Sequence, residues 1–226
     1  MCVDLLIRKV KKQDMLVKIL EYYKIEDVVE KEKKIKQYIR LLRNRREWAG
    51  LTSRFLAKKP ERALVDSLAV LNVLEQKEKR KVIDVGSGGG LVGVVLAIAC
   101  SEWEVTLAES SRRKAAFLAE AIGSLKLGNA MVVRERAERL SDNMIFDFAL
   151  GRAAGGLVTA APIALDLLRK GGLYVAVKGS HVANEVNDAI GVIEASGGTL
   201  VEVVKPEYPI EFGIPDRVSL VVIRKR

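Results

Sequence analysis

The chain has 226 residues, of which 49% are hydrophobic and 30% charged. That suits one medium-sized globular domain with a small appendage, whose core needs neither disulfides nor a structural metal, and it excludes a disordered chain. The net charge of +9 lies wholly in the first quarter. Met1 to Arg62 carries 18 Lys and Arg against 9 Asp and Glu, whereas 20 of each sign follow from Ala63 onward. A positive field concentrated in this way favours polyanions, above all nucleic acid. The longest uncharged apolar run, Leu91 to Cys100, is about half the ~20 residues a membrane span needs. Asp4, Arg8, Lys9, Lys11 and Lys12 interrupt any secretion signal. Cys2 and Cys100 form no motif and point to a reducing compartment, the cytoplasm. The single histidine, His181, leaves no His-based zinc site, and no metal is expected. Nothing in the sequence demands more than a monomer.

Residues 1–75 read as a basic, helical N-terminal region. Apolar residues recur at helical spacing as Leu16, Ile19, Leu20 and Tyr23, and again as Ile35, Tyr38, Ile39 and Leu42. Trp48 to Ser53 reads as a turn, Glu61 to Leu74 as a helix, and Glu75 to Lys81 as a charged linker. From residue 76 to the C-terminus, strands alternate with helices. Strands are expected at 82–85, 105–108, 130–133, 146–150, 173–177, 200–204 and 218–223. Helices are expected at 91–99, 112–125, 157–168 and 182–195. This alternation implies a doubly wound, mostly parallel, seven-stranded α/β sheet of Rossmann-like type, with the basic helices as an extension. No helix separates the last two strands, so they should pair antiparallel.

The strongest local signal is Val82-Ile-Asp-Val-Gly-Ser-Gly-Gly-Gly-Leu91. Glycine at 86, 88 and 90 lets the backbone take positive φ and approach a ligand without a Cβ in the way. The helix that follows adds free N–H donors. The dinucleotide pattern G-x-G-x-x-G fails when counted from Gly86, because its third position is Leu91. It fits only from Gly88 through Gly90 and Gly93, displaced into the loop. Asp84-x-Gly86-x-Gly88-x-Gly90 instead follows the acidic glycine turn of class I methyltransferases that use S-adenosylmethionine (SAM). An acid there favours a sulfonium and an ammonium and disfavours a pyrophosphate. Glu109, at the end of the second strand, is placed to accept both hydroxyls of a ribose. Backbone groups at Ala137 and Glu138, after the third strand, are candidates for the adenine edge.

In this order and spacing the chain resembles the RsmG (GidB) family, which makes 7-methylguanosine in bacterial small-subunit rRNA. The matching segments are Trp48…Leu51-Thr-Ser53, Asp66-Ser67-Leu68, the Asp84–Leu91 turn and Ser111-Arg-Arg-Lys-Ala-Ala-Phe-Leu118. Arg136-Ala-Glu138, Gly151-Arg-Ala153 and Val177-Lys-Gly179 complete the set. The resemblance implies SAM contacts at Gly86, Leu91, Ala137, Glu138 and Arg152, with Glu109 on the ribose. It implies a substrate in small-subunit (16S) rRNA or the 30S subunit. Gly89 and Val92 stand where the family usually has proline. Arg152 is a candidate to hold the SAM carboxylate or a target phosphate, and Lys178 a candidate either for an RNA phosphate or for a structural contact. Guanine N7 already carries an in-plane lone pair, so no general base is expected; His181 reads as a loop residue. Two other readings stay open: a SAM-dependent methyltransferase of a small molecule or protein, and a non-catalytic RNA-binding assembly factor.

Overall fold

A computed structural model describes residues 15–51, 60–76, 78–140, 144–152, 155–179, 182–206, 208 and 218–226. The loop expected at His181 and the Thr52–Ser53 end of the expected turn lie outside the described residues. In chain order come α1 (Met15–Tyr22), α2 (Val28–Arg45), α3 (Pro60–Leu68) with a 3₁₀ turn Ala69–Asn72, and β1 (Lys81–Val85). Then follow α4 (Gly93–Ala99), β2 (Glu104–Ala108), α5 (Arg112–Leu125), β3 (Ala130–Val133), a 3₁₀ turn Ala137–Arg139 and β4 (Phe146–Arg152). The chain closes with α6 (Leu157–Asp166), β5 (Leu168–Gly179), α7 (Ala183–Ala195), β6 (Gly198–Val204) and β7 (Val218–Lys225).

The seven strands form one sheet in the order β3-β2-β1-β4-β5-β7-β6. β1 to β5 run parallel, whereas β7 lies antiparallel between β5 and β6. Side chains alternate between two apolar layers, as the two-residue period of a strand requires. Val82, Phe148, Leu150 and Val175 face the layer holding α1, α2, α4 and α5. Ile83, Ala149, Tyr174 and Ala176 face the layer under α6 and α7. The residues of α1 and α2 that recur at helical spacing are buried in the same layer as α4. The basic N-terminal helices are thereby packed over the first half of the sheet.

Among the boundaries that differ from the sequence reading, three have a clear local cause. α4 begins at Gly93 and not at Leu91, because residues 86–92 form one continuous turn. The helix expected to Leu74 tightens into a 3₁₀ turn after Leu68, where the Asn72 side chain donates to the Ala69 carbonyl. β5 starts at Leu168, before Gly171 and Gly172. The glycines mask a strand whose register with β4 shifts between Phe146 and Phe148.

Candidate cofactor and substrate site

Strand order reverses between β1 and β4, and in such sheets ligands bind outside the carboxyl ends of the strands at that point. Val85, Ala108 and Val133 lie in register across β1, β2 and β3. The segments leaving these three strands therefore emerge side by side: the glycine turn, Glu109, and the loop to Ala137–Glu138. Arg152 and Lys178 end β4 and β5 on the other side of the crevice.

Gly86, Gly88 and Gly90 have φ of 67°, 58° and 79°, a region that favours glycine. The turn is tied on every side. The Ser87 N–H donates to the Ala108 carbonyl, and its hydroxyl to the Asp84 carbonyl. The Gly88 N–H donates to Glu109 Oε2 at 2.8 Å, while the Ser111 N–H donates to Glu109 Oε1 at 2.8 Å. Glu109 is only 7% exposed, yet each of its oxygens keeps a second lone pair. From α2, the buried Tyr38 hydroxyl donates to the Gly89 carbonyl. A Cβ at Gly89 would stand 3.2 Å from Leu51 and 3.4 Å from Leu42, so apolar side chains of the N-terminal region fill the space beside this glycine. At Gly88 a Cβ would meet nothing nearer than 3.9 Å, which leaves that stretch of backbone open.

Asp84 is tied to the start of the helix that follows the turn. It is 2% exposed, and its Oδ2 accepts the Gly93 N–H at 3.0 Å. The carboxyl thus faces the first turn of α4, under the glycine turn. Burial pushes it up to about 6, against the pull of the Gly93 N–H. Gly93 itself lets α4 sit on β1 and β2, since a Cβ there would lie 2.1 Å from Leu107 and 2.9 Å from Asp84 Oδ2. The third glycine of the displaced dinucleotide pattern therefore serves helix–strand packing.

Arg152 is turned toward α3. Its Nη1 donates to Ser67 Oγ at 3.2 Å and its Nη2 to Asp66 Oδ2 at 3.3 Å. Burial lowers the guanidinium pKa, and Asp66 opposes that shift. Lys178 donates to Glu185 Oε1 at 2.7 Å and to the Gly155 carbonyl at 2.8 Å. Glu185 Oε1 also accepts the Leu157 N–H at the start of α6. Burial raises the Glu185 carboxyl, but Lys178 and that N–H bring it below its ordinary value. Lys178 thus joins the segment after β4 to α7. Ala137 and the exposed Glu138 form the 3₁₀ turn after β3, and Leu91 is half-buried at the end of the glycine turn.

Sequence reasoning missed Tyr38, which it read only as one of a row of buried helical residues, and Glu185, which it did not single out. It quoted Asp66-Ser67 as a matching segment without linking it to Arg152. Among the described residues no group of His, Cys, Asp and Glu is arranged to hold a metal ion. No helix among them is long and apolar enough to cross a membrane.

Comparison with known proteins places the chain in a family. Residues 31–209 match the GidB family, described as rRNA small subunit methyltransferase G. The chain is 31% identical to the ribosomal RNA small subunit methyltransferase G of Caldicellulosiruptor bescii over 224 residues, 94% of this chain and 91% of that protein. In fold it is similar to the precorrin-6y C5,15-methyltransferase of Geobacter metallireducens, with a TM-score of 0.55, 18% identity, and 77% and 92% of the two chains covered. It is also similar to M. jannaschii TYW2 in complex with AdoMet, with a TM-score of 0.51, 16% identity, and 76% and 75% covered.

Proposed function

Because the chain belongs to the rRNA small subunit methyltransferase G family, we propose that it carries a methyl group from SAM to N7 of a guanine in small-subunit ribosomal RNA. The observation that carries this reading is the pairing of an open, positive-φ glycine turn with the buried Glu109 carboxylate at the point where strand order reverses. The residues present fit SAM. Gly88 leaves room for a ligand against the backbone, and Glu109 has free lone pairs for two ribose hydroxyls. Ala137 and Glu138 follow β3 on the side where an adenine would lie, with Gly86 and Leu91 at the two ends of the turn. Asp84 acts from below: it fixes the start of α4 and places an acid under the cleft, where a cation is favoured over a pyrophosphate. Arg152, held by Asp66 and Ser67 at the end of β4, is the cation assigned to the SAM carboxylate or a target phosphate.

When bound, SAM supplies an electrophilic methyl group on a sulfonium. The protein's own work is then alignment. N7 of guanine needs no deprotonation, so the crevice must set the base in line with the methyl and keep water out. Methylation leaves a positive charge on the base, which nearby carbonyls and acids stabilise. The basic N-terminal helices supply RNA affinity that falls steeply with salt. In this reading the protein acts as a monomer in the cytoplasm, without a metal, on naked rRNA or the 30S subunit.

The test is to incubate the purified protein with SAM and either small-subunit rRNA or 30S subunits, then digest the RNA and analyse its nucleosides by mass spectrometry. We expect 7-methylguanosine. A methyl group on another atom would overturn the N7 assignment, and transfer to neither substrate would overturn the rRNA reading.

A further inference from the structure

The C-terminal end of α2 presents an exposed indole three residues before Leu51, which packs beside Gly89 of the glycine turn. α2 is followed by a tight reversal. The Leu51 N–H donates to the Arg46 carbonyl at 2.9 Å, the Gly50 N–H to the Glu47 carbonyl at 3.1 Å, and Gly50 has a φ of 67°. These are the two bonds of a Schellman cap. They make Trp48 part of a rigid helix end and not of a loose turn. The chain on either side of the cap is anchored, because Ala49 and Leu51 are buried and Leu51 packs beside Gly89. Trp48 is nevertheless 51% exposed. The Arg45 guanidinium lies 6.0 Å from the ring centroid. It is itself held by Glu120, with Nε 3.0 Å and 3.1 Å from the two carboxylate oxygens and Nη2 2.9 Å from Oε1. Lys33, Lys36, Arg40 and Arg43 are exposed along the same helix.

An exposed aromatic ring on a capped helix end that also carries a run of cations is the surface that an unpaired nucleotide fits, with the base on the ring and phosphates along the cations. Building on the proposed rRNA reading, we propose that Trp48 stacks on an unpaired base of the RNA substrate and so fixes the RNA at the rim of the glycine turn. The chain has two tryptophans, and the other, Trp103, is fully buried. Tryptophan emission therefore reports the site directly.

Small-subunit rRNA should quench the emission of the wild-type protein, and the Trp48→Phe variant, which retains Trp103, should lose that quenching. Trp48→Ala should raise KM for the RNA about 10-fold with SAM affinity and melting temperature unchanged, and Trp48→Phe should recover most of the loss. RNA that binds and is methylated with equal quenching in wild type and Trp48→Phe, or with an unchanged KM in Trp48→Ala, would overturn the stacking proposal and leave the proposed function standing. RNA that neither binds nor is methylated would overturn both.

Discussion

Replacing Glu109 by glutamine is expected to weaken SAM binding by about 3 kcal/mol, roughly 100-fold, with the protein still folded. The carboxylate does two things at once. It accepts the Gly88 and Ser111 N–H groups, one on each oxygen, and in the proposed function it offers its remaining lone pairs to the ribose. An amide has one acceptor oxygen. In either orientation its NH₂ group must face one of those backbone N–H donors, so either the turn or the segment after β2 is pushed away. Calorimetric titration with S-adenosylhomocysteine, the demethylated product, reads this directly. Wild-type affinity in a folded Glu109→Gln protein would show that the ribose lies elsewhere.

The second large effect falls on folding. Gly93→Ala should destabilise the protein by about 3 kcal/mol. Its Cβ would stand 2.1 Å from Leu107 Cδ2 and 3.0 Å from Asp84 Cβ, so α4 would have to lift from β1 and β2 or Leu107 leave its place. Lifting α4 would also stretch the Asp84–Gly93 bond that carries the turn. Gly123→Ala is the matched control. It lies in α5 with nothing within 4 Å of the added atom, and should raise stability by about 0.5–1 kcal/mol through helix propensity. The midpoints of urea unfolding measure both. Equal midpoints for Gly93→Ala and the wild type would contradict the packing described here.

Local periodicity carried the sheet. Strands such as Val82–Val85 and Val105–Ala108 are short apolar runs between polar breaks, and burial on both faces demands no other pattern. The antiparallel pairing of the last two strands was also legible, from the lack of a crossover helix between them. That β7 enters between β5 and β6 was not, because strand order depends on contacts that spacing does not record.

The cleft divides in the same way. The glycine turn could be read because its residues are consecutive and their conformational need is intrinsic to glycine. Partnerships across the chain could not. Arg152 finds Asp66 and Ser67, on a helix more than 80 residues earlier, and Tyr38 reaches Gly89 across 51 positions. Charge suggested that Asp84 would favour a cation, but not that one of its oxygens would also accept the N–H at the start of α4. Arg45, one of the cations of the basic N-terminal region, is bound to Glu120. Charge reversal at Arg45 would therefore also break an α2–α5 bridge, and Arg40 is the cleaner position for testing RNA affinity.

The central claim is that the cleft above β1 and β2 is built for a methyl-donor nucleoside. Its most direct test is a crystal structure of the protein with S-adenosylhomocysteine, paired with a calorimetric titration against NADH. Ribose hydroxyls on Glu109, the adenine beside Ala137 and Glu138, and no heat from NADH are expected. A nucleoside bound away from Glu109, or NADH taken up in its place, would contradict the claim.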